Sequence, residues 1–209
     1  MEHEGKGVIN KTDPNIHYLQ QCKEDLDLAL PILEKVFKKT LVLQEYTLNP
    51  GHCRGLARAC QFFDHRFVNR VLFSNCGIDD GEFASILEGL AQLKDFKSII
   101  YKMNTFGDLS LAALPALLEK RLPNHLDEIK LIDCQMNSSM ISQLVDLLLE
   151  TDSQLSKLAL INANQTESSF DKIIMFLRES DFLKELDLSW SKLPPTSWRK
   201  FLSVVTENR

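Results

Sequence analysis

At 209 residues the chain is long enough for one extended domain or two small ones, and its 44% hydrophobic and 25% charged content is enough to build a core. The formal net charge of −5, with acids and bases scattered and never massed, argues against nucleic acid or an anionic membrane as partner, because both need a basic stripe to displace counterions. No run of about 18 apolar residues offers a bilayer span, the polar start MEHEGKGVINKTDP lacks the apolar stretch of a secretory signal, and an odd five cysteines without a paired CxxC point to a reducing, cytoplasmic setting, a mature secreted chain without its signal being the alternative.

Residues 1–13 carry Gly5 and Gly7 and few apolar groups, so a disordered tail is expected there. Asp13-Pro14 reads as an N-cap followed by proline at the first helical position. A shift of 54 residues lays Leu19, Cys22, Ile32, Leu33 and Val36 onto Phe73, Cys76, Ile86, Leu87 and Leu90. Residues 14–40 are therefore expected to be a degenerate repeat or N-terminal cap. Leu43, Tyr46 and Leu48 have strand spacing, with Thr47 and Asn49 on the opposite side, and Leu56, Ala59, Cys60 and Phe63 fit the inner face of a short helix.

From Val68 onward one phrase recurs: VNRVLFSN, FKSIIYKM, LDEIKLID, LSKLALIN and LKELDLSW begin at Val68, Phe96, Leu126, Leu155 and Leu183, which are 28, 30, 29 and 28 residues apart. Within each unit the apolar period changes from 2 to 3.6. Val71 and Phe73 alternate as in a strand, then Phe83, Ile86, Leu87 and Leu90 share one helical face. The later helical faces read Leu111, Leu114, Leu117 and Leu118; Leu144, Leu147 and Leu148; Phe170, Ile173, Ile174 and Leu177; and Trp198, Phe201, Leu202 and Val205. Asp108, Asn137 and Ser168 are the expected caps, and Pro194-Pro195 opens the last helix.

The pattern LxxLxLxx(C/N)xL followed by an amphipathic helix resembles a leucine-rich repeat of the ribonuclease-inhibitor type. Cys76, Asn104 and Cys134 match that family's Cys/Asn position, while Ala163 and Ser191 depart from it, as does Gln165 at an apolar position. The resemblance implies an α/β solenoid over residues 41–209, about six repeats, with parallel strands on a concave side and helices on a convex side. Helices about 10 Å wide against strands about 4.8 Å apart bend such a stack into a horseshoe.

Strand residues between the core leucines then face the concave wall. Leu72, Ile100, Lys130, Ala159 and Asp187 form one row and Ser74, Lys102, Ile132, Ile161 and Ser189 another, with Trp190 just beyond. Isolated apolar residues on a sheet are ordinary β-formers. The other reading is that Leu72, Ile100, Ile132, Ile161 and Trp190 form a partner-binding strip flanked by Lys102, Lys130, Lys157, Glu128, Glu185 and Asp187, and the sequence leaves both readings open.

Chemistry finds little support. His52, Cys53, Cys60 and His65 contain the residue types of a zinc site, yet seven helical residues separate the thiols by about 10 Å, too far for one metal. Acidic pairs such as Asp79-Asp80 lack calcium-loop spacing, and nucleotide, protease and hydrolase motifs are absent. No catalytic residue, cofactor or metal is expected. The leading expectation is a non-catalytic protein-protein interaction module. The alternatives are a GTPase-activating type, with Arg54, Arg58, Arg66 and Arg70 as candidates, and a structural subunit or fragment of a larger repeat protein, as in the tropomodulin relatives or the innate-immune nucleotide-binding receptors. No polar cap follows the last helix, so self-association through that end is a further expectation.

Overall fold

The computed structural model describes residues 13–63, 68–120, 123–191 and 195–207. The fold is α/β, built on a seven-stranded, mostly parallel sheet whose strands lie in chain order. Strand β1 (Val36–Phe37) runs antiparallel to β2 (Thr40–Gln44). Then β3 (Arg70–Ser74), β4 (Ser98–Lys102), β5 (Glu128–Ile132), β6 (Lys157–Ile161) and β7 (Glu185–Asp187) each add in parallel to the strand before. The pairing puts Leu41, Val71, Ile99, Ile129, Leu158 and Leu186 on one continuous rung.

Alternation along each strand divides the sheet into two faces. Leu41, Leu43, Val71, Phe73, Ile99, Tyr101, Ile129, Leu131, Leu158 and Leu160 are buried against the helices that follow the strands. These helices are α2 (Pro50–Cys60), α3 (Asp80–Leu90), α4 (Asp108–Ala113), α5 (Pro115–Leu118), α6 (Ser138–Glu150), α7 (Glu167–Glu179) and α8 (Pro195–Glu207). Packing is tight enough that a methyl group at Gly89 of α3 would lie 2.5 Å from the Ala57 carbonyl oxygen of α2.

Two backbone devices join the units. Directly after β2 to β6, Glu45, Asn75, Met103, Asp133 and Asn162 take positive φ, as does Trp190 three residues past β7, all between 52° and 61°. This left-handed turn aims the N–H of Glu45, Asn75, Met103, Asp133 and Asn162 at the carbonyl of the next strand's end, at 2.9 to 3.1 Å. One residue later, Cys76 and Cys134 donate through sulfur to Leu43 O and Tyr101 O, each at 3.3 Å. Asn104 Nδ2 donates to Phe73 O at 3.4 Å and Ser191 Oγ to Leu160 O at 3.1 Å. Cys, Asn and Ser thus perform one task, a small donor that satisfies a buried carbonyl of the preceding unit. Ala163 has no donor for it.

Several expectations need correction. β2 begins at Thr40, so its residues on the open face are Val42 and Gln44, and Thr47 and Asn49 belong instead to the loop and N-cap of α2. The helix expected across Leu111–Leu118 is split into α4 and α5 at Pro115. Proline has no N–H and its ring crowds the carbonyl four residues earlier; all four leucines nevertheless stay buried. Thr166 rather than Ser168 caps α7, and the cap of α4 is Gly107, whose missing side chain is replaced by Asp80 from the preceding unit. In α8 Ser197 and Val204 are buried and Phe201 packs against the core as expected, whereas Trp198, Leu202 and Val205, expected on the same inner face, are exposed.

Residues 14–40 hold α1 (Pro14–Glu24), a 3-10 turn over Ile32–Lys35, and the β1–β2 hairpin. Asp13 caps α1 through the Asn15 N–H at 2.9 Å. Tyr18, Cys22, Ile32 and Leu33 are buried, whereas Leu19, placed by the 54-residue shift on a core position, is exposed. The tail expected at residues 1–13 lies, Asp13 apart, outside the described residues.

Candidate functional site

Among the described residues no helix covers the second face of the sheet. Three rows of side chains cross it, fixed by the strand register. The lowest contains Thr40, Arg70, Ser98, Glu128, Lys157 and Glu185. The middle contains Val42, Leu72, Ile100, Lys130, Ala159 and Asp187, and the upper contains Gln44, Ser74, Lys102, Ile132, Ile161 and Ser189. Leu72, Ile100, Lys102, Lys130, Ile132, Ile161 and Asp187 therefore do share one face, and all are half-buried.

Register turns the apolar members into a continuous diagonal. Val42, Leu72 and Ile100 are cross-strand neighbours in the middle row, and Ile132 and Ile161 are neighbours in the upper row. Ile100 and Ile132 are the diagonal pair that links the two segments, about 7 to 8 Å apart in ordinary sheet geometry. Trp190 stands past the end of β7, 85% exposed, with φ of 61°. A bulky aromatic in the left-handed region is an outlier. It borders a groove of about 470 Å³ with Gln135, Asn137, Asn162 and Asn164.

Charge lies below the strip and is largely neutralised. Glu128 accepts from Ser98 Oγ at 2.5 Å and pairs with Lys130 at 2.9 Å, and Lys157 pairs with Glu185 at 3.2 Å. Burial pushes the Glu128 carboxyl upward, but the hydrogen bonds from Ser98 and Lys130 and the nearby lysine charges outweigh it, so the net shift is downward. The same bond to Glu128 raises Lys130. Hydrogen bonds from Ser189 hold Asp187 below the ordinary carboxylate range.

Several of the other candidate residues are engaged within the fold. His52 accepts the Asn49 N–H at Nδ1, 3.3 Å away, which leaves Nε2 as the donor to Leu28 O at 2.9 Å. Cys53 and Cys60 are buried in α2, with thiol pKa values raised by desolvation. His65 lies outside the described residues. Arg54 is paired with Asp25 at 3.1 Å and Arg58 with Glu24 at 2.9 Å, so both fasten α1 to α2. Arg70 is exposed at the foot of the open face, and Arg66 lies outside the described residues. Among the described residues no helix is long and apolar enough to cross a membrane.

Sequence reading missed Val42, the start of the apolar strip; the alternation in TLVLQ carried that signal. It also missed the left-handed rim and the Ser98–Glu128–Lys130 network, since hydrogen bonds between strands 30 residues apart leave no local trace.

No protein-family model matches the chain, and no curated protein matches it. Among solved structures it is similar to the tropomodulin C-terminal domain of Caenorhabditis elegans, at 12% identity and a TM-score of 0.44, over 94% of this chain and 93% of that one.

Proposed function

We propose that this chain is a leucine-rich-repeat solenoid of the ribonuclease-inhibitor type, curved as a horseshoe, and that it acts as a non-catalytic cytoplasmic module binding a partner protein on its open sheet face. The observation that carries the reading is the unbroken diagonal Val42–Leu72–Ile100–Ile132–Ile161. Six strands at about 4.8 Å give a wall roughly 24 Å across, a scale that suits a protein surface and not a small substrate, which prefers an enclosed pocket. The paired charges beneath the strip act as a polar rim that fixes orientation more than affinity. Repeats at near-constant spacing, the shared Cys/Asn/Ser donor and the parallel ladder support the repeat assignment. Five free, buried cysteines support a reducing compartment.

The test is recovery of partners by immobilised chain, followed by titration of the purified partner. Ile132→Glu combined with Ile161→Glu, on the half-exposed face, is expected to weaken that partner by tenfold or more, while Met175→Ser on the helical side leaves it unchanged. Equal binding by all three proteins would refute the assignment.

A further inference from the structure

The apolar strip on the open face has a length, a slope and a charge pattern, and together they define what can lie along it. Val42, Leu72 and Ile100 stand at one level, and Ile132 and Ile161 stand two residues higher. Strands about 4.8 Å apart carry the strip about 19 Å sideways from β2 to β6, and the two-residue rise adds about 6.6 Å, so its length is about 20 Å. It runs across the strands and involves neither edge of the sheet. Strand addition, which needs an edge, does not use it.

A chain lying on the strip must offer an apolar group over each strand. A helix presents apolar residues at i, i+4, i+7, i+11 and i+14, about 5.3 Å apart, and covers about 21 Å in four steps. An extended chain presents alternate residues about 6.7 Å apart and takes about 27 Å for the same four steps, so it ends more than one strand out of phase. The period of the strip is that of a helix.

Charge is uneven along it. Toward β6 and β7 the charged side chains answer one another: Glu128 pairs with Lys130, Lys157 pairs with Glu185, and Asp187 accepts from the Ser189 N–H at 2.9 Å. Toward β3 and β4 two cations are left over. Arg70 lies two residues below Leu72, between Thr40 and Ser98, and Lys102 lies two residues above Ile100, between Ser74 and Ile132. Among the described residues neither has an ion pair. Of the acids on the rim, Asp133 is bonded by Asn162 Nδ2 at 2.9 Å, and Glu45 stands beyond Gln44, off the strip. The free cations therefore flank the Leu72–Ile100 segment, one on each side.

We propose that, with the open sheet face as the docking surface, its occupant is an amphipathic helix of about four turns from a partner protein, with carboxylates on both shoulders of the half that covers β3 and β4. The apolar ridge of such a helix covers the strip, and its carboxylates meet Arg70 and Lys102. These charges set orientation and choice of partner more than affinity.

Fluorescence anisotropy tests it with three alanine-rich synthetic peptides of about 16 residues, enough to cover the strip when helical. The first carries leucines on the i, i+4, i+7, i+11 and i+14 stripe and glutamates on both shoulders of one half. The second has lysines in place of the glutamates, and the third is the first with a central proline, which breaks the helix. The first is expected to bind about tenfold tighter than either of the others, and to weaken with added salt. Arg70→Glu with Lys102→Glu, its circular dichroism unchanged, should reverse the preference between the first two. Ile132→Glu with Ile161→Glu should weaken the first about tenfold, which locates it on the strip. A first peptide that binds no tighter than the other two, or a preference that survives reversal of both cations, would overturn the helical occupant. The recovered partner separates this failure from failure of the open face. If Ile132→Glu with Ile161→Glu still releases that partner while the peptides are not distinguished, the face stands and only the acidic helix falls.

Discussion

Gln165 shows how a single side chain can work against the unit that contains it. It occupies the inward position that Leu48, Ile78 and Met136 fill elsewhere, and it is buried with neither amide atom bonded among the described residues. A buried amide without partners loses its hydration and gains nothing in return, at a cost of about 1 to 3 kcal/mol. Gln165→Leu is therefore expected to stabilise the chain by roughly that amount, read as an upward shift of the urea midpoint with an unchanged slope. The reverse experiment is Asn104→Ala. It would leave the Cys76 N–H without its acceptor at 2.8 Å and the Phe73 carbonyl without its donor, and a loss of about 2 kcal/mol or more is expected. Equal midpoints for the native chain and Asn104→Ala would show that the slot is packing alone.

At the scale of elements, one helix depends on its neighbour for its beginning. Asp80 Oδ1 accepts from the Gly107 and Ser110 N–H groups at 2.8 and 2.9 Å, and Oδ2 accepts from Leu109 N–H at 2.9 Å. Burial pushes the Asp80 carboxyl upward, but these bonds and the Ser110 hydroxyl bring the net shift below the ordinary value. A depressed folded-state pKa adds stability above the unfolded value of about 3.9, and that stability is lost as pH falls through the folded pKa. Asp80→Asn should thus be less stable than the native chain at pH 6, and the difference should shrink as the pH is taken below 3. A gap that persists unchanged at low pH would assign the effect to packing.

The elements also show what was legible in the chain. Period-2 and period-3.6 spacing located β3 to β7 and the inner faces of α3, α6 and α7, because each depends on residues within one turn or one strand. The cap of α4 was misassigned because its acceptor, Asp80, lies 27 to 30 residues before the N–H groups it binds, and no local rule sees it. The inner face of α8 was read only in part, with Phe201 placed correctly and Val204 missed, because apolar residues surround that helix and periodicity alone could not choose between the Ser197–Val204 side and the Trp198–Leu202 side. On the candidate site, alternation predicted which strand residues share the open face from β3 onward. It could not predict that cross-strand register would join them into one diagonal.

Over the whole molecule, cohesion comes from contacts between successive units, so stability is approximately a sum of local terms along one axis. The central units have a neighbour on both sides, and Ile99, Ile129, Leu131 and Leu158 are buried between them. Among the described residues the β7–α8 unit is the most loosely packed: β7 is three residues long, Leu183, Leu186 and Leu188 are only partly buried, and Trp198, Leu202 and Val205 are exposed. Local opening should therefore start there. Native-state hydrogen exchange is expected to find the amides of 185–207 exchanging at least about tenfold faster than those of β4 and β5, since fewer buried apolar contacts hold them. The protection should also fall in steps along the chain, with β6 between the two limits. Uniform protection from β2 to β7 would mean a single cooperative unit and would contradict the nearest-neighbour description of this fold.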